Sequence, residues 1–288
     1  MSEGRVIEVF FLSDALAIDP AQINQAIRES GAVLPAGVAM HVLASPGLRY
    51  YELKNEGVKR AAGEVVVFLD SDVVPEPDWL EQLLRSFRDP AVQLVGGNSY
   101  IEPVSLYSRA FALAWFFPLR TEGGPLHKAS QFFANNLAGR REFLARYPFP
   151  DQSRFRGQCS ILAERLAADG IPIYCNPSAR VAHPPPNGMS HFVRRALCEG
   201  HDLIVREHDR GKAVPVNLRR NLRLSYWSLR AKAVHIRETI RNNRARVGLS
   251  PASVPYAVGI MFLYYTLHVV GEMLTRINPS IVRRRFPI

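Results

Sequence analysis

The stretch Gly-Glu-Val-Val-Val-Phe-Leu-Asp-Ser-Asp-Val-Val-Pro-Glu-Pro-Asp-Trp, residues 63–79, decides the fold of this chain. Its apolar run Val65–Leu69 predicts a strand that is buried on both faces. The run ends at Asp70-Ser71-Asp72, so two carboxylates follow the carboxyl end of that strand. Because open α/β sheets bind their ligands at this end of their strands, Asp70 and Asp72 are candidate site residues.

The Asp70-Ser71-Asp72 motif has two interpretations. Carboxylates two residues apart suit a hard divalent cation such as Mg²⁺ or Mn²⁺, which can in turn hold a diphosphate. Alternatively, the same carboxylates accept hydrogen bonds from the N–H groups of a turn and of a helix start. The spacing alone leaves both interpretations open.

Three further segments place this strand in a sheet. Residues 6–12 and 40–43 are apolar and predict two more strands, and residues 20–30 carry the apolar spacing of a helix. This alternation of strands and helices predicts right-handed crossovers. We therefore expect an α/β fold, with a mostly parallel sheet flanked by helices.

The residues around the motif resemble those of family-2 glycosyltransferases, which have the Rossmann-like GT-A fold. The match runs from Asn55 through Gly63, the strand and Asp70-Ser71-Asp72 to Trp79. The resemblance implies a nucleotide-diphospho-sugar donor and a bound Mg²⁺ or Mn²⁺ ion. It implies donor contacts for Asp14, Lys54, Asn55, Asp70 and Ser71, and metal contacts for Asp72, Asp70 and His183. A turn aspartate, an exposed helix start and a structural histidine are the competing interpretations at Asp14, Lys54 and His183.

The acceptor side departs from the family pattern. Asn135 and Asn136 resemble its acceptor segment and would offer paired donors and acceptors to sugar hydroxyls, unless they serve a tight turn. The family's general base is an Asp in an acidic pair at a helix start, and residues 156–162 contain no acid. Asp151 and Cys159 are the remaining candidates, so the base stays unassigned.

The start of the chain also departs from the family pattern. The family normally begins one strand earlier, and no residues before residue 6 supply that strand. Either the start is missing or the donor pocket is built differently.

Composition narrows the class of protein. The chain has 288 residues, of which 47% are hydrophobic and 22% charged, as in a globular protein. Its three cysteines are scattered and include no Cys-x-x-Cys, which argues against a zinc knuckle or a disulfide framework and indicates a reducing compartment. The charged N-terminal residues do not form a signal peptide.

Positive charge is concentrated near the C-terminus. The chain has a net charge of +10, and 18 Lys/Arg oppose 6 Asp/Glu from Ser190 onward. Residues 217–246 interleave arginines with Tyr226 and Trp227. Such a segment binds either RNA, through stacking and phosphate pairing, or anionic lipid.

Residues 254–274 favour the membrane. This segment is almost uninterruptedly apolar and about as long as a bilayer span requires. Glu272 and His268 near its end, with arginines on both flanks, disfavour a simple span. A helix in the interface, a re-entrant segment, a span completed by a partner membrane protein and a soluble core helix remain as alternatives.

We therefore expect a GT-A-like domain in residues 1–186 and a basic, membrane-associating helical region in residues 187–288. The expected function is metal-assisted transfer of a sugar from a nucleotide-diphospho-sugar to a lipid-linked or cell-envelope glycan. We expect a single displacement with inversion, at the cytoplasmic face of the plasma membrane. No nucleic-acid partner is expected. The competing hypotheses are a non-catalytic sugar-nucleotide-binding or scaffold protein and an RNA-binding protein.

Overall fold

A computed structural model describes residues 7–14, 19–31, 33, 35–150, 156–211 and 217–286. The strands are β1 (Ile7–Ser13), β2 (Val38–Ala44), β3 (Val65–Leu69), β4 (Val74–Pro75), β5 (Leu94–Tyr100), β6 (His127–Ala129), β7 (Asn136–Arg140) and β8 (Ile173–Ala182). The helices are α1 (Pro20–Glu29), α2 (Tyr50–Arg60), α3 (Trp79–Arg85), α4 (Leu106–Ala114), α5 (Arg141–Arg146), α6 (Gln158–Ala168), α7 (Gly188–Asp209), α8 (Leu218–Asn243), α9 (Val254–Ile277) and α10 (Ser280–Arg285).

The strands form a two-stranded and a six-stranded sheet. The parallel pair β1–β2 forms the smaller sheet, and the larger one has the order β3-β7-β5-β8-β4, with β6 also paired to β8. In the larger sheet only β5–β8 is parallel among the described pairs. The predicted α/β class is confirmed, but the sheet is mixed instead of mostly parallel, because β7 runs antiparallel between β3 and β5.

Two apolar layers cover the larger sheet. On one face, side chains of β3 and β7 pack with α2, α5 and α6, including the fully buried Leu137, Leu162 and Leu166. On the other face, Trp79 and Leu83 of α3 pack against β5 and β8. The expected strand Val65–Leu69 is confirmed as β3, and it carries Asp70 and Asp72 to its carboxyl end.

The small sheet is packed very differently. No apolar side chain in the described part of residues 7–45 is fully buried. The free edge of β1 and the free edge of β3 both line one large cleft, and no described strand lies between them. The extra strand expected at the family's start is therefore not found among the described residues.

A separate apolar core joins α4, α7, α8 and α9. Helix α4 is almost wholly buried and is therefore a core helix. Because α4 precedes residue 186 and shares a core with the C-terminal helices, the two expected regions pack as one body at this point. The domain boundary at residue 186 stays a prediction.

Helices α7 and α9 lie in close contact. A Cβ added at Gly200 would overlap the backbone of His268, and one added at Gly271 would overlap the backbone of Leu197. Glycines at both positions therefore allow the two backbones to approach.

Helix α9 also carries a buried charge network. Glu272 is 1% exposed, and its carboxylate accepts hydrogen bonds from Ser228 and Arg276 at 2.8 Å and lies 3.3 Å from Lys232 Nζ. By length and composition, Pro251–Ile277 is the one described helix that is long and apolar enough to cross a membrane, and 33% of its apolar window is buried in the protein. The contacts of Glu272 with Ser228 and Lys232 hold one face of α9 against α8.

Candidate active site

A cleft of about 2440 Å³ lies between the strand ends and helix α7. One wall is formed by β1, α2 and the carboxyl end of β3, which supply Asp14, Lys54, Asp70 and Asp72. The opposite wall is formed by α7. Of the expected donor and metal residues, all except His183 are therefore brought to one cleft wall, and His183 is tied to this wall through Asp72.

Asp70 is held by two side chains of α2. Both of its carboxylate oxygens accept from Tyr50 Oη, at 2.8 and 2.7 Å, and Oδ1 also accepts from Lys54 Nζ at 2.8 Å. Burial, together with the neighbouring Asp70 charge, raises the pKa of Tyr50 well above its usual value, so the phenol stays a hydrogen-bond donor. Asp70 is thus a fixed and charge-compensated carboxylate.

Ser71 and Asp72 are more exposed than Asp70. The Asp72 side chain is 56% exposed, and its Oδ2 lies 3.7 Å from His183 Nε2. Asp72 therefore faces solvent in the cleft with most of its coordination capacity free. The structure brings together Asp72 and His183, which are 111 positions apart in the sequence.

His183 is a partly buried, neutral imidazole. Its ring packs between Trp115 and Phe117, with ring centroids 5.3 and 4.9 Å away. Burial lowers the pKa of His183, although the Asp72 charge acts in the opposite direction. Nδ1 lies 2.6 Å from the Pro184 carbonyl oxygen and donates to it, which leaves the Nε2 lone pair directed toward Asp72.

The pair fits part of a divalent metal site. A carboxylate and a neutral imidazole are both acceptable ligands of Mn²⁺. No group of three or more His, Cys, Asp or Glu side chains among the described residues could hold a metal by itself. Any metal here would take its other ligands from water or from a bound phosphate group.

The opposite wall is basic. His191, Arg194 and Arg195 line the cleft from α7, followed by Cys198, Glu199 and Asp202. The positions 191, 194, 195, 198, 199 and 202 repeat with helical spacing and so lie on one face of α7. Sequence analysis missed this wall, and the helical spacing of these polar residues is the signal that would have found it.

Arg195 is positioned by its neighbours. Its guanidinium lies over the Trp115 ring, 5.1 Å from the centroid, and its Nε is 3.6 Å from Glu199. Glu199 in turn accepts from Trp115 Nε1 at 2.8 Å. The Arg195 Nε is buried and has no hydrogen-bond partner within the described residues. The side chain is therefore fixed, with an unused donor beside the cleft.

Charges on the two walls act on the same histidines. Burial lowers the pKa of His191, and the charges of Arg195 and Arg194 lower it further, while Asp72 opposes them. The acidic wall and the basic wall therefore face each other around Asp72 and His183.

Asn55 has a structural partner. Its amide donates to the Phe149 carbonyl at 2.8 Å and accepts from the Phe149 N–H at 2.9 Å. Asn55 therefore anchors the loop at Phe149, and its expected donor contact stays a prediction. Asp14 follows the end of β1 and lines the cleft, and its expected donor contact also stays a prediction.

Asn135 and Asn136 lie in the core. Asn136 is fully buried, accepts from Trp79 Nε1 at 2.8 Å and donates to the Ala179 carbonyl at 2.9 Å. Asn135 is 5% exposed and accepts from Ser99 Oγ at 3.0 Å. The expected contact of Asn136 with a sugar acceptor finds no support in this position, because its amide already has both kinds of partner within the protein.

The segment where an acid was expected contains a buried thiol. Cys159 Sγ lies 3.3 Å from Tyr51 Oη, and burial raises the pKa of Cys159 above its ordinary value. Its thiol is therefore protonated at neutral pH and is poorly suited to act as a base. Asp202 of α7 contacts this segment, where its Oδ2 accepts from the Arg156 N–H at 2.7 Å. Asp151, the other candidate, lies outside the described residues.

The chain matches a known family in the region that builds the acidic wall. The model described as "Glycosyl transferase family 2" matches residues 21–147, from α1 through α5. This match supports the expected relation of the chain to glycosyltransferase family 2.

Curated proteins match this chain over part of their length. A pre-mycofactocin glycosyltransferase of Mycobacterium tuberculosis is 28% identical over 165 residues, which cover 54% of this chain and 35% of that protein. Glycosyltransferase AglE of Haloferax volcanii is 38% identical over 48 residues, covering 17% of this chain and 16% of that protein. The chain thus spans about a third of the length of the mycobacterial relative.

A solved structure shares the fold of this chain. The mannosyltransferase PcManGT from Pyrobaculum calidifontis, solved with GDP-Man and Mn²⁺, superposes with a TM-score of 0.52 at 18% identity. The superposition covers 92% of this chain and 77% of that one. The expected GT-A architecture is confirmed, and the match extends beyond the family region into the C-terminal helices.

Proposed function

We propose that this family-2 glycosyltransferase moves a sugar from a nucleotide-diphospho-sugar to an acceptor hydroxyl, with the help of a divalent metal. The observation that carries the proposal is the pair of facing walls in one cleft, with Asp72 and His183 on one side and Arg194 and Arg195 on the other. A diphosphate is the part of the donor that complements both a metal site and arginines.

The acidic wall fits the metal. Asp72 and the neutral Nε2 of His183 would hold Mg²⁺ or Mn²⁺, and Tyr50 and Lys54 keep Asp70 fixed beside them. The metal would neutralise charge that develops on the leaving diphosphate. That PcManGT was solved with GDP-Man and Mn²⁺ supports this assignment.

The basic wall fits the departing diphosphate. Arg195 is already held by Trp115 and Glu199 and would donate from a guanidinium that needs little reordering. Arg194 is exposed on the same face and would add a second charge. Together they would hold negative charge that grows as the bond to the sugar breaks.

The acceptor we propose is a lipid-linked or cell-envelope glycan, attacked in a single displacement that inverts the anomeric carbon. Gln158, which lines the cleft, is 5% exposed and has no partner for Oε1 within the described residues. This oxygen would accept a hydrogen bond from a sugar hydroxyl. Gln158 cannot remove the proton, so the base is left to another group.

The test is release of nucleoside diphosphate from UDP-sugars and GDP-sugars, measured with Mn²⁺ and with a chelator. We expect metal-dependent turnover that Asp72→Asn lowers by about 10³-fold, because one metal-binding charge is lost. Asp78→Asn is the matched control, since Asp78 lies near the motif and bonds Gln82 outside the cleft. Equal turnover in both variants would contradict the proposed metal role.

A second function is favoured by one observation. The segment at Gln158 and Cys159 carries no acid, and the thiol is protonated. A protein that binds a sugar nucleotide without transferring the sugar would retain the acidic and basic walls and lose the base. Metal-dependent binding of UDP-sugar or GDP-sugar without any turnover, over a panel of acceptors, would support this function over transfer.

A further inference from the structure

Helix α8 has a fixed inner face. Asn221 Nδ2 donates to the Met273 carbonyl at 3.2 Å, and Ser228 Oγ donates to Glu272 at 2.8 Å. Ile236 and Ile240 are buried in the helical core. These contacts run antiparallel along α9, because His235 of α8 packs against Tyr265, nearer the start of α9. The orientation of α8 on the protein is therefore fixed.

The outer face of α8 is basic and apolar at once. Six of its arginines are exposed, and none forms an ion pair among the described residues: Arg219, Arg220, Arg223, Arg230, Arg237 and Arg241. Large apolar side chains are exposed between them, with exposed fractions of 62% at Tyr226, 47% at Trp227 and 52% at Leu222. Glu238 is the one exposed acid on the helix. We call this surface the outer face of α8.

Helix α9 has exposed apolar side chains of its own. Tyr256, Phe262 and Leu263 are 68%, 44% and 48% exposed. The network at Glu272 joins the other face of α9 to α8 and keeps it inside the protein. Apolar side chains are thus exposed on both helices.

A bilayer surface matches this chemistry better than a nucleic acid does. Arginines on a helix lying in the interface contact lipid phosphates while aromatic and aliphatic side chains enter the headgroup and acyl boundary. Leu218, Leu222 and Val234 have no counterpart in phosphate recognition and suit the acyl boundary. Arg230, stacked 5.0 Å over the Trp227 ring, combines both contacts in one place.

We propose that the outer face of α8 docks this protein on an anionic bilayer. Helix α9 stays packed on α7 and α8 and does not cross the membrane. Docking in this manner is reversible and weakens as salt concentration rises. The inference goes beyond the proposed transfer reaction and does not depend on it, because docking is measured without donor or acceptor.

Tryptophan fluorescence reports on this surface. Trp79 and Trp115 are 8% and 7% exposed, whereas Trp227 is 47% exposed. Vesicles of phosphatidylcholine mixed with phosphatidylglycerol should therefore shift the emission of the full chain to shorter wavelength, through Trp227. Vesicles of phosphatidylcholine alone should produce little shift. An equal shift with both vesicles would overturn the electrostatic part of the proposal.

Charge reversal localises the binding. The triple variant Arg219→Glu, Arg223→Glu, Arg230→Glu should lower the partition coefficient onto anionic vesicles by at least roughly 100-fold, measured by co-sedimentation. A matched triple variant, Arg28→Glu, Lys128→Glu, Arg146→Glu, changes the net charge equally at exposed sites elsewhere. The fold-change in the partition coefficient of this control should be less than about a tenth of the fold-change in the α8 triple variant. Equal losses in both variants would show attraction to net charge alone and overturn docking through α8.

Two further outcomes separate other occupants. Co-sedimentation without a change in Trp227 emission would mean that another surface binds the vesicles. Tight binding of single-stranded RNA, lost in the α8 triple variant, together with weak vesicle binding, would assign the outer face to nucleic acid. The proposed bilayer surface requires tight binding of anionic vesicles and weak binding of single-stranded RNA.

Discussion

The two walls of the cleft differ in charge, in construction and in how they are held. The acidic wall sits on the end of β3, where Asp70 is fixed by Tyr50 and Lys54 from a neighbouring helix. The basic wall sits on α7, a long helix that returns to the cleft after the last strand and is fixed by α9. A donor diphosphate needs both walls, but each depends on a different part of the fold.

This difference has a physical consequence. A strand end is held by its sheet and moves little when a side chain changes. A helix can be displaced as a unit when the surface beneath it is altered. We therefore expect a substitution beneath the basic wall to displace it more easily than a substitution beneath the acidic wall displaces that wall.

The largest effect should come from Gly271→Ala. Its Cβ would overlap the Leu197 carbonyl oxygen and push α7 from α9, so we expect the free energy of unfolding to fall by about 3 kcal/mol. Gly259→Ala, on the same helix and facing open space, should raise it by up to about 1 kcal/mol. Urea denaturation measures both. Similar values for the two variants would mean that α7 does not rest on Gly271.

The second effect concerns the anchor of α9 and depends on pH. Burial alone would raise the pKa of Glu272, but its bonds to His268 and Ser228 and the Lys232 charge outweigh burial and lower the pKa from 4.5 to about 2. A carboxylate with a lowered pKa contributes stability above pH 4.5 that is lost as the pH falls toward 2. The contribution is at most about 3 kcal/mol.

Glu272→Gln should remove this pH dependence. The free energy of unfolding of the wild type should fall more steeply than that of Glu272→Gln between about pH 5 and pH 2. Unfolding in urea across this range gives the two curves. Parallel curves would show that Glu272 does not hold α9 through its charge.

A smaller effect tests one cation of the basic wall. Arg195→Ala should lower kcat/KM for the donor by about 10-fold to 100-fold, because a charged hydrogen bond to the diphosphate is lost. Arg210→Ala, at the residue that follows α7 and is exposed beside Glu164, is the matched control and should change kcat/KM little. If Arg195→Ala kept full kcat/KM while Asp72→Asn lost it, the diphosphate would lie on the acidic wall alone.

The smallest effect tests the acidic wall. Tyr50→Phe removes the two contacts from Oη to Asp70 and leaves Lys54 in place, so we expect kcat to fall several-fold, by about 1 kcal/mol. Steady-state kinetics with saturating donor measures this change. An unaltered kcat would show that Lys54 alone fixes Asp70.

The acidic wall could be predicted from sequence because it is local. A five-residue apolar run, two aspartates and a helix start lie within residues 63–79, and the structure reproduces the strand at Val65–Leu69. The resemblance predicts that His183 lies near Asp72. It does not predict the tautomer of His183 that leaves Nε2 available. That detail depends on the Pro184 carbonyl, which the sequence does not locate.

The basic wall was missed because it depends on packing between distant elements. The expected GT-A-like domain ends at residue 186, yet α7 begins at Gly188 and lines the cleft together with the strand ends. Which face of α7 meets the cleft is decided by its contact with α9. The asparagines also depend on packing: Asn136 bonds Trp79 and the Ala179 carbonyl inside the core, and Asn135 accepts from Ser99. Their expected sugar contacts stay predictions.

The most direct test of the two-wall account is a crystal structure of the protein soaked with Mn²⁺ and either UDP or GDP. An anomalous difference map collected at the manganese edge locates the metal independently of the phosphates. The account predicts a peak bonded to Asp72 and His183 Nε2, with the diphosphate between that peak and Arg195. A manganese peak away from Asp72, or a diphosphate that leaves Arg194 and Arg195 without contact, would contradict it.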